Sequence, residues 1–330
     1  MNRFEWVSVS TVEGAIAQLS HGATAKAGGI DLLDRMKEGL EEPERVVNLR
    51  GIAGLDSITA DDGGLHLGAL ATLAQIAASP VVRSRWPALA TAALGAATPQ
   101  IRNAATLGGN LLQRPRCWYF RSAEFRCLRK GGSECFAIPG ENQYHAVVDN
   151  DICAMVHPSA AAIPLMAYRA VLEVAGPEGK RDIPLESFFV LPSEDVTREH
   201  SLPHDSVVTG IRVPAPPKGA RSAYLKQGEK ESFDWPLADA AAVLVMDGSR
   251  IRNASIVLGA ASPVPKRAGA AEQWLVGKPL DDATAREAAR RAMEGATPLS
   301  KNGWKVPLFQ TVIARVLLAA AGGPAAGGTR

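Results

Sequence analysis

Residues 101–111 read IRNAATLGGNL, a stretch in which Gly108-Gly109, soon after Pro99, breaks helical periodicity and marks a loop. A small hydroxyl residue, a glycine pair and an amide side chain between apolar flanks form a phosphate-holding pattern, because glycine lets backbone N–H groups approach an anion closely. Upstream, residues 26–33 read KAGGIDLL and repeat that logic, with Gly28-Gly29 between a short strand and an amphipathic helix. The N-terminus of that helix adds its dipole to the exposed N–H groups. Two such loops can hold the two phosphates of a dinucleotide from both sides; each alone also reads as a plain tight turn. Neither GxGxxG nor GxxxxGKS/T occurs in the chain, which leaves the doubly wound dinucleotide fold and the P-loop without support.

Outward from these loops the pattern alternates. Val12, Ala15, Ile16 and Leu19 fall at helical spacing and RVVNLRGI (45–52) reads as a buried strand. This predicts a small α/β unit over about residues 1–55, followed by a larger mixed one over about 56–217. In the latter, residues 63–79 read as a strand and then a helix opening near Thr72, residues 82–97 as a helix, and YHAVV (144–148) and residues 169–176 as strands. IPLESFFV (183–190) resembles a strand running into a helix. RVPAPPKGARS (212–222), with three prolines and a glycine, is the strongest linker signal and sets a domain boundary at about residue 217. Beyond it, residues 238–262 form a hairpin signature around Asp247-Gly248, and three helical patterns follow within 270–277, 281–295 and 309–323. The glycine-rich tail, residues 322–330, is expected to fray.

Composition narrows the function classes. With 330 residues the chain has room for two or three domains, and 46% hydrophobic against 21% charged residues excludes disorder as the main state. A net charge of +2 gives no field that suggests a nucleic acid or an anionic membrane as partner. The start, MNRFEWVSVSTVEGAIAQL, lacks a basic segment followed by an apolar one, and no run approaches the ~18 apolar residues that span a bilayer. A cytoplasmic location is the default expectation.

All four cysteines, Cys117, Cys127, Cys135 and Cys153, lie within residues 117–153 at the spacing C-x9-C-x7-C-x17-C. The segment has no period of 3.6 or 2, so it can hardly fold on its own side chains. In a reducing compartment grouped thiols favour a metal ion or an iron–sulfur cluster over disulfides. The spacing matches neither paired zinc ligands nor the ferredoxin run, so Zn²⁺, a cluster and unpaired core cysteines all stay open. Arg114, Arg116, Arg121, Arg126, Arg129 and Lys130 surround the thiols, either as a solvated loop surface or as cations that offset their charge. His145 and His157 lie nearby, as hydrogen-bonded structural residues or as groups tuning a cluster.

AGGIDLL (27–33), IRNAATLGGNL (101–111), HPSA (157–160) after the last cysteine and YLKQGEKESF (224–233) after the linker together resemble the FAD-binding subunit of the molybdenum hydroxylases. That family includes xanthine dehydrogenase, carbon monoxide dehydrogenase and aldehyde oxidoreductase. The cysteine insertion, about residues 113–153, resembles the subgroup with an extra [4Fe–4S] cluster, as in bacterial aldehyde oxidoreductases and 4-hydroxybenzoyl-CoA reductase. The resemblance implies an α+β fold: a two-subdomain FAD-binding domain of the vanillyl-alcohol-oxidase kind (1–217), then a C-terminal domain (218–330) with a three-stranded antiparallel sheet and a helix bundle.

Carried over residue by residue, it implies that Ala25, Lys26, Ala27, Gly28, Gly29, Ile30, Asp31 and Leu32 wrap the FAD pyrophosphate, while Asn103, Thr106, Gly109 and Asn110 hold the other side. Lys226 would lie near the isoalloxazine, where a positive charge favours the anionic reduced flavin. Cys117, Cys127, Cys135 and Cys153 would ligate the cluster. Two departures stand out: Ile30 replaces the family's Thr or Ser and Ala160 its Asp, which removes a hydroxyl and a carboxylate and leaves Ser159 as a substitute contact.

The implied function is electron transfer in a heterotrimer with a molybdenum-cofactor large subunit and a [2Fe–2S] small subunit, delivering electrons to an external acceptor. Co-export with a partner would place the assembly in the periplasm. Two alternatives stay open: a redox-inactive structural subunit built around Zn²⁺, and a stand-alone flavoprotein oxidoreductase.

Overall fold

Val46 and Val47 form the centre of the N-terminal lobe in the computed structural model, which describes residues 1–19, 22–230 and 232–322. Strand β1 (Glu5–Ser8), helix α1 (Val12–Gln18), strand β2 (Ala23–Lys26), helix α2 (Ile30–Lys37) and strand β3 (Arg45–Asn48) follow in order. The strands pair in parallel as β1-β3-β2, with the helices on the connections that parallel pairing demands. Successive side chains of a strand point to opposite faces. Val47 accordingly packs with Ala15 and Leu19 around α1, and Val46 with Leu32 and Met36 of α2. Thr11 starts α1 by accepting the Gly14 N–H at 3.0 Å. β1, mostly exposed, carries no alternating pattern and was not foreseen.

The second lobe is a five-stranded antiparallel sheet, β4-β5-β8-β6-β7, built from β4 (Ile58–Ala60), β5 (Gly64–Gly68), β6 (Val171–Gly176), β7 (Gly179–Pro184) and β8 (Val207–Pro214). Between β5 and β6 run α3 (Leu73–Ala78), α4 (Pro80–Arg85), α5 (Pro87–Gly95), α6 (Pro99–Ala104), α7 (Leu107–Leu111), α8 (Trp118–Arg121) and α9 (Ala162–Ala167). Thr72 opens α3 with a reciprocal capping box to Gln75. The single helix expected over 82–97 is two, because Pro87 lacks an N–H and drives Trp86 out of the helical region, to φ −130°, ψ 56°. The glycine stretch around residue 105, expected as loop, contains α6 and α7. Thr98 and Thr106 cap them by accepting the N–H groups of Ile101 and Gly109, and each is too short to show a period. YHAVV is no strand: Val147 and Val148 both donate to the Ala261 carbonyl.

The C-terminal sheet has four antiparallel strands, not three: β9 (Ala220–Gln227), β10 (Ala238–Asp247), β11 (Arg250–Gly259) and β12 (Lys266–Arg267), in the order β12-β11-β10-β9. The extra strand is two residues long, below anything periodicity can register. β10 is buried on both faces. Ala241 and Val243 join the core of the second lobe, while Ala240, Ala242 and Leu244 face a helical layer of α10 (Gly269–Leu275), α11 (Asp282–Ala292) and α12 (Lys305–Ala320). Residues 323–330 of the tail expected to fray lie outside the described residues.

Candidate functional site

The two glycine loops meet backbone to backbone. A Cβ on Gly28 would stand 2.0 Å from the Ala104 carbonyl oxygen, so glycine alone permits the contact. Gly29 starts α2 at φ +83°, a conformation that costs glycine nothing. Beside the contact opens a cleft of about 490 Å³, within the range of ~300–1,000 Å³ typical of cofactor pockets. Ala25, Lys26, Ala27, Gly28, Gly29, Ile30, Asp31 and Leu32 form one wall; Thr106, Gly109 and Asn110 form the opposite one. Tyr224, Lys226 and Phe233–Pro236 close it from the C-terminal domain.

Charge in the cleft is organised around Asp31. It accepts from Arg35 Nε at 3.1 Å, Arg121 Nη2 at 2.6 Å and the Arg114 N–H at 3.0 Å, and Arg116 Nη2 lies 2.8 Å away. Burial would raise its pKa, but Arg116, the Arg114 N–H and Arg121 outweigh that and hold it below the ordinary carboxylate value. Lys226 Nζ donates to the Gly95 carbonyl at 3.1 Å, and burial lowers its pKa. Behind Lys226, in register on β10, Asp239 accepts the Tyr224 hydroxyl at 2.9 Å, and burial pushes its carboxyl up to about 6.

Cys117, Cys127, Cys135 and Cys153 all line one small cavity of about 20 Å³, walled also by Tyr119, Phe120, Phe136 and Met155. Burial pushes the Cys117 thiol up to about 11. A hydrogen bond from Cys153, helped by backbone N–H groups, lowers Cys135 to about 6, and the same bond raises Cys153. Arg129 is buried and donates from Nε to Cys153 Sγ at 3.3 Å and from Nη1 to Glu199 at 2.9 Å. His145 Nε2 lies 3.2 Å from Cys117 Sγ, and burial lowers its pKa to about 4, leaving the ring neutral at physiological pH. Among the described residues no group of three or more His, Cys, Asp or Glu side chains stands ready to hold a metal ion.

Only short helical turns, α8 and residues 128–130, contribute regular structure to this cavity, and side chains from elsewhere tie down the segment around it. Asn302 donates to the carbonyls of His145 and Ala146, both at 3.1 Å, and Lys305 Nζ to those of His145 and Ala260 at 3.0 and 2.8 Å. Arg114 joins Glu199 and Arg121 joins Asp31, so the cysteine segment is tied to both lobes that flank it. Asn302, Lys305 and Glu199 escaped sequence reasoning; only their placement in the fold reveals them.

Two expected contacts fall elsewhere. Asn103 is exposed and lines a groove with Arg83, Leu94 and Arg102, outside the cleft. Ser159 is buried, its Oγ donating to Asn110 Oδ1 at 2.7 Å and accepting the Ala162 N–H. It orients Asn110 in the wall, and its neighbours Pro158 and Ala160 reach the cleft instead. His157 is buried against Phe189 with ring centroids 4.4 Å apart and is not among the residues that line the thiols' cavity.

A glycine-walled cleft between a parallel α/β lobe and an antiparallel α+β lobe, lined also by the C-terminal domain, has the build of a cofactor-binding site. Residues 2–216 match the family described as FAD binding domain in molybdopterin dehydrogenase, and residues 223–321 the CO dehydrogenase flavoprotein C-terminal domain. The chain belongs to this family, the flavin subunits of the molybdenum hydroxylase oxidoreductases. It is 35% identical over 323 residues to the aldehyde oxidoreductase FAD-binding subunit PaoB of Escherichia coli (strain K12), covering 96% of this chain and 98% of that one. It is 29% identical over 297 residues to the carbon monoxide dehydrogenase medium chain of Hydrogenophaga pseudoflava, covering 89% and 86%. The solved carbon monoxide dehydrogenase of that organism lacking the Mo-pyranopterin moiety superimposes with a TM-score of 0.77 at 28% identity over 97% of this chain and 98% of that one. No helix among the described residues is long and apolar enough to cross a membrane.

Proposed function

We propose that this chain holds FAD in the glycine-walled cleft and a [4Fe–4S] cluster in the thiol cavity, as the electron-transfer subunit of an aldehyde oxidoreductase or xanthine dehydrogenase-like complex. Its partners in this reading are a molybdenum-cofactor large subunit and a [2Fe–2S] small subunit, with substrate oxidation on the large subunit and delivery of electrons to an external acceptor. Two lobes clasping the flavin in the manner of the vanillyl-alcohol-oxidase fold, residues 1–217, and a C-terminal domain, 218–330, are the corresponding division of the chain. The observation that carries the reading is the cleft of about 490 Å³ between two loops brought together at Gly28.

When bound, the two groups supply carriers for one and two electrons, which match a one-electron donor to a two-electron acceptor. The backbone N–H groups of Gly28, Gly29 and Ile30 hold the pyrophosphate in this reading. Where the family has a hydroxyl, Ile30 offers only its backbone donor. Lys26 projects from the same wall. Asn110, fixed by Ser159 Oγ at 2.7 Å, holds the other side together with Thr106 and Gly109. Lys226, half-buried, stabilises negative charge on the isoalloxazine. In the cavity, Cys117, Cys127, Cys135 and Cys153 are the ligands, and Arg129 on Cys153 offsets thiolate charge.

Rapid mixing of the purified complex with an aldehyde or a purine tests this. Flavin bleaching in the complex, with none in the isolated chain, is expected. Turnover by the isolated chain would make it a stand-alone oxidoreductase.

A further inference from the structure

Two residues of the cysteine segment, Gln113 and Arg116, reach the cofactor cleft. Arg116, immediately before Cys117, lines the cleft wall. Its Nη2 lies 2.8 Å from Asp31 Oδ1 and donates to Gln113 Oε1 at 3.3 Å, and its Nη1 donates to Asp34 at 3.5 Å. The guanidinium plane is thus pinned on one edge to α2, the helix that starts at the glycine pair. Its face carries the Trp235 ring, with the centroid 4.9 Å from the guanidinium carbon. Trp235 is about half exposed and belongs to Phe233–Pro236, the segment of the C-terminal domain that closes the cleft. Arg116 Nε is buried and has no partner within the protein. A buried guanidinium N–H without an acceptor costs free energy, so Arg116 is held in this pose by its carboxylate and ring contacts.

We propose that Arg116 is a cofactor-retention residue supplied by the cysteine segment: its guanidinium holds Trp235 across the cleft over bound FAD. This rests on the flavin reading of the cleft. Retention of FAD then depends on the fold of the thiol segment, although no cysteine touches the cleft. Arg is required, because Lys can neither pin two carboxylates with one plane nor stack that plane on indole.

Flavin release from the purified complex after dilution, followed by the rise in free-flavin fluorescence, tests the proposal. Arg116→Ala and Trp235→Ala are each expected to speed release by about 5-fold, the upper range of an exposed cation–π contact. The double variant should add little to either single one, and Arg116→Lys should behave as Arg116→Ala. Trp235→Phe should restore most of the retention, since a flat ring is kept. Trp235→Ala lies on the exposed rim, so its iron content should equal that of the unaltered protein even if Arg116→Ala disturbs the segment. Release at the unaltered rate from Trp235→Ala, or fully additive losses in the double variant, would overturn the proposal. An unaltered complex that binds no FAD would overturn the flavin reading itself, and the latch with it.

Discussion

The cleft and the thiol cavity lie side by side but are built by opposite means. The cleft is made of backbone: β2 and α2 present one glycine loop, α6 and α7 the other, and Gly28 lets them touch. Its geometry is local and rigid, since each wall is the junction of regular elements. The cavity is made of side chains on a largely irregular segment, and two donors that hold that segment at His145, Asn302 and Lys305, come from 157 and 160 residues away in sequence. A backbone cradle can be written into a short motif. A borrowed scaffold cannot, and it fails with the partners that lend it.

That contrast can be broken most forcefully at Gly28. Gly28→Ala puts a Cβ 2.0 Å from a backbone oxygen, which has no side-chain freedom with which to give way. Loss of at least about 3 kcal/mol and of bound flavin is expected, read by thermal unfolding and flavin absorbance. Gly269→Ala, where the new Cβ meets nothing within 4 Å, should leave both unchanged.

On the cavity side, Asn302→Ala removes donors to two carbonyls and an acceptor for the Leu299 N–H in a fully buried position. A loss of about 2–4 kcal/mol is expected, with iron content falling while flavin stays bound. Equal loss of both groups would show that the cleft too depends on the borrowed scaffold.

Asp239 lies between the two regions, in register with Lys226 on the cleft side and attracted by Lys305 on the other. Burial raises its carboxyl from 3.8 to about 6, so the folded state binds the extra proton between those values. Stability contributed by that proton is full below pH 4 and is lost as pH rises through about 6. Asp239→Asn should flatten this limb and stabilise the protein above pH 6 by about 2 kcal/mol, measured as urea midpoints from pH 4 to 8.

Legibility in the sequence follows the same division. The strand–glycine–helix junction at residues 26–33 was readable because glycine pairs, apolar spacing and the start of a helix all fall within eight residues. The hairpin at Asp247-Gly248 and the three C-terminal helices were readable for the same local reason. β12 was not, since two residues have no period, and α6 and α7 were hidden by their length. Asn103 and Asn110 look alike in the motif, yet the break at Ala105 between two short helices sends the first out of the cleft and keeps the second in its wall. Ser159 was misread because a hydroxyl near a site can face the ligand or the residue that binds it, and only packing decides. Nothing local marks Asn302 or Lys305 as belonging to the cysteines.

The most direct measurement is the flavin, iron and acid-labile sulfide content of the purified chain in its complex. One FAD with four irons and four sulfides per chain is the result expected of a backbone cradle beside a four-thiol cavity. Zinc without iron, or a preparation without flavin, would contradict it.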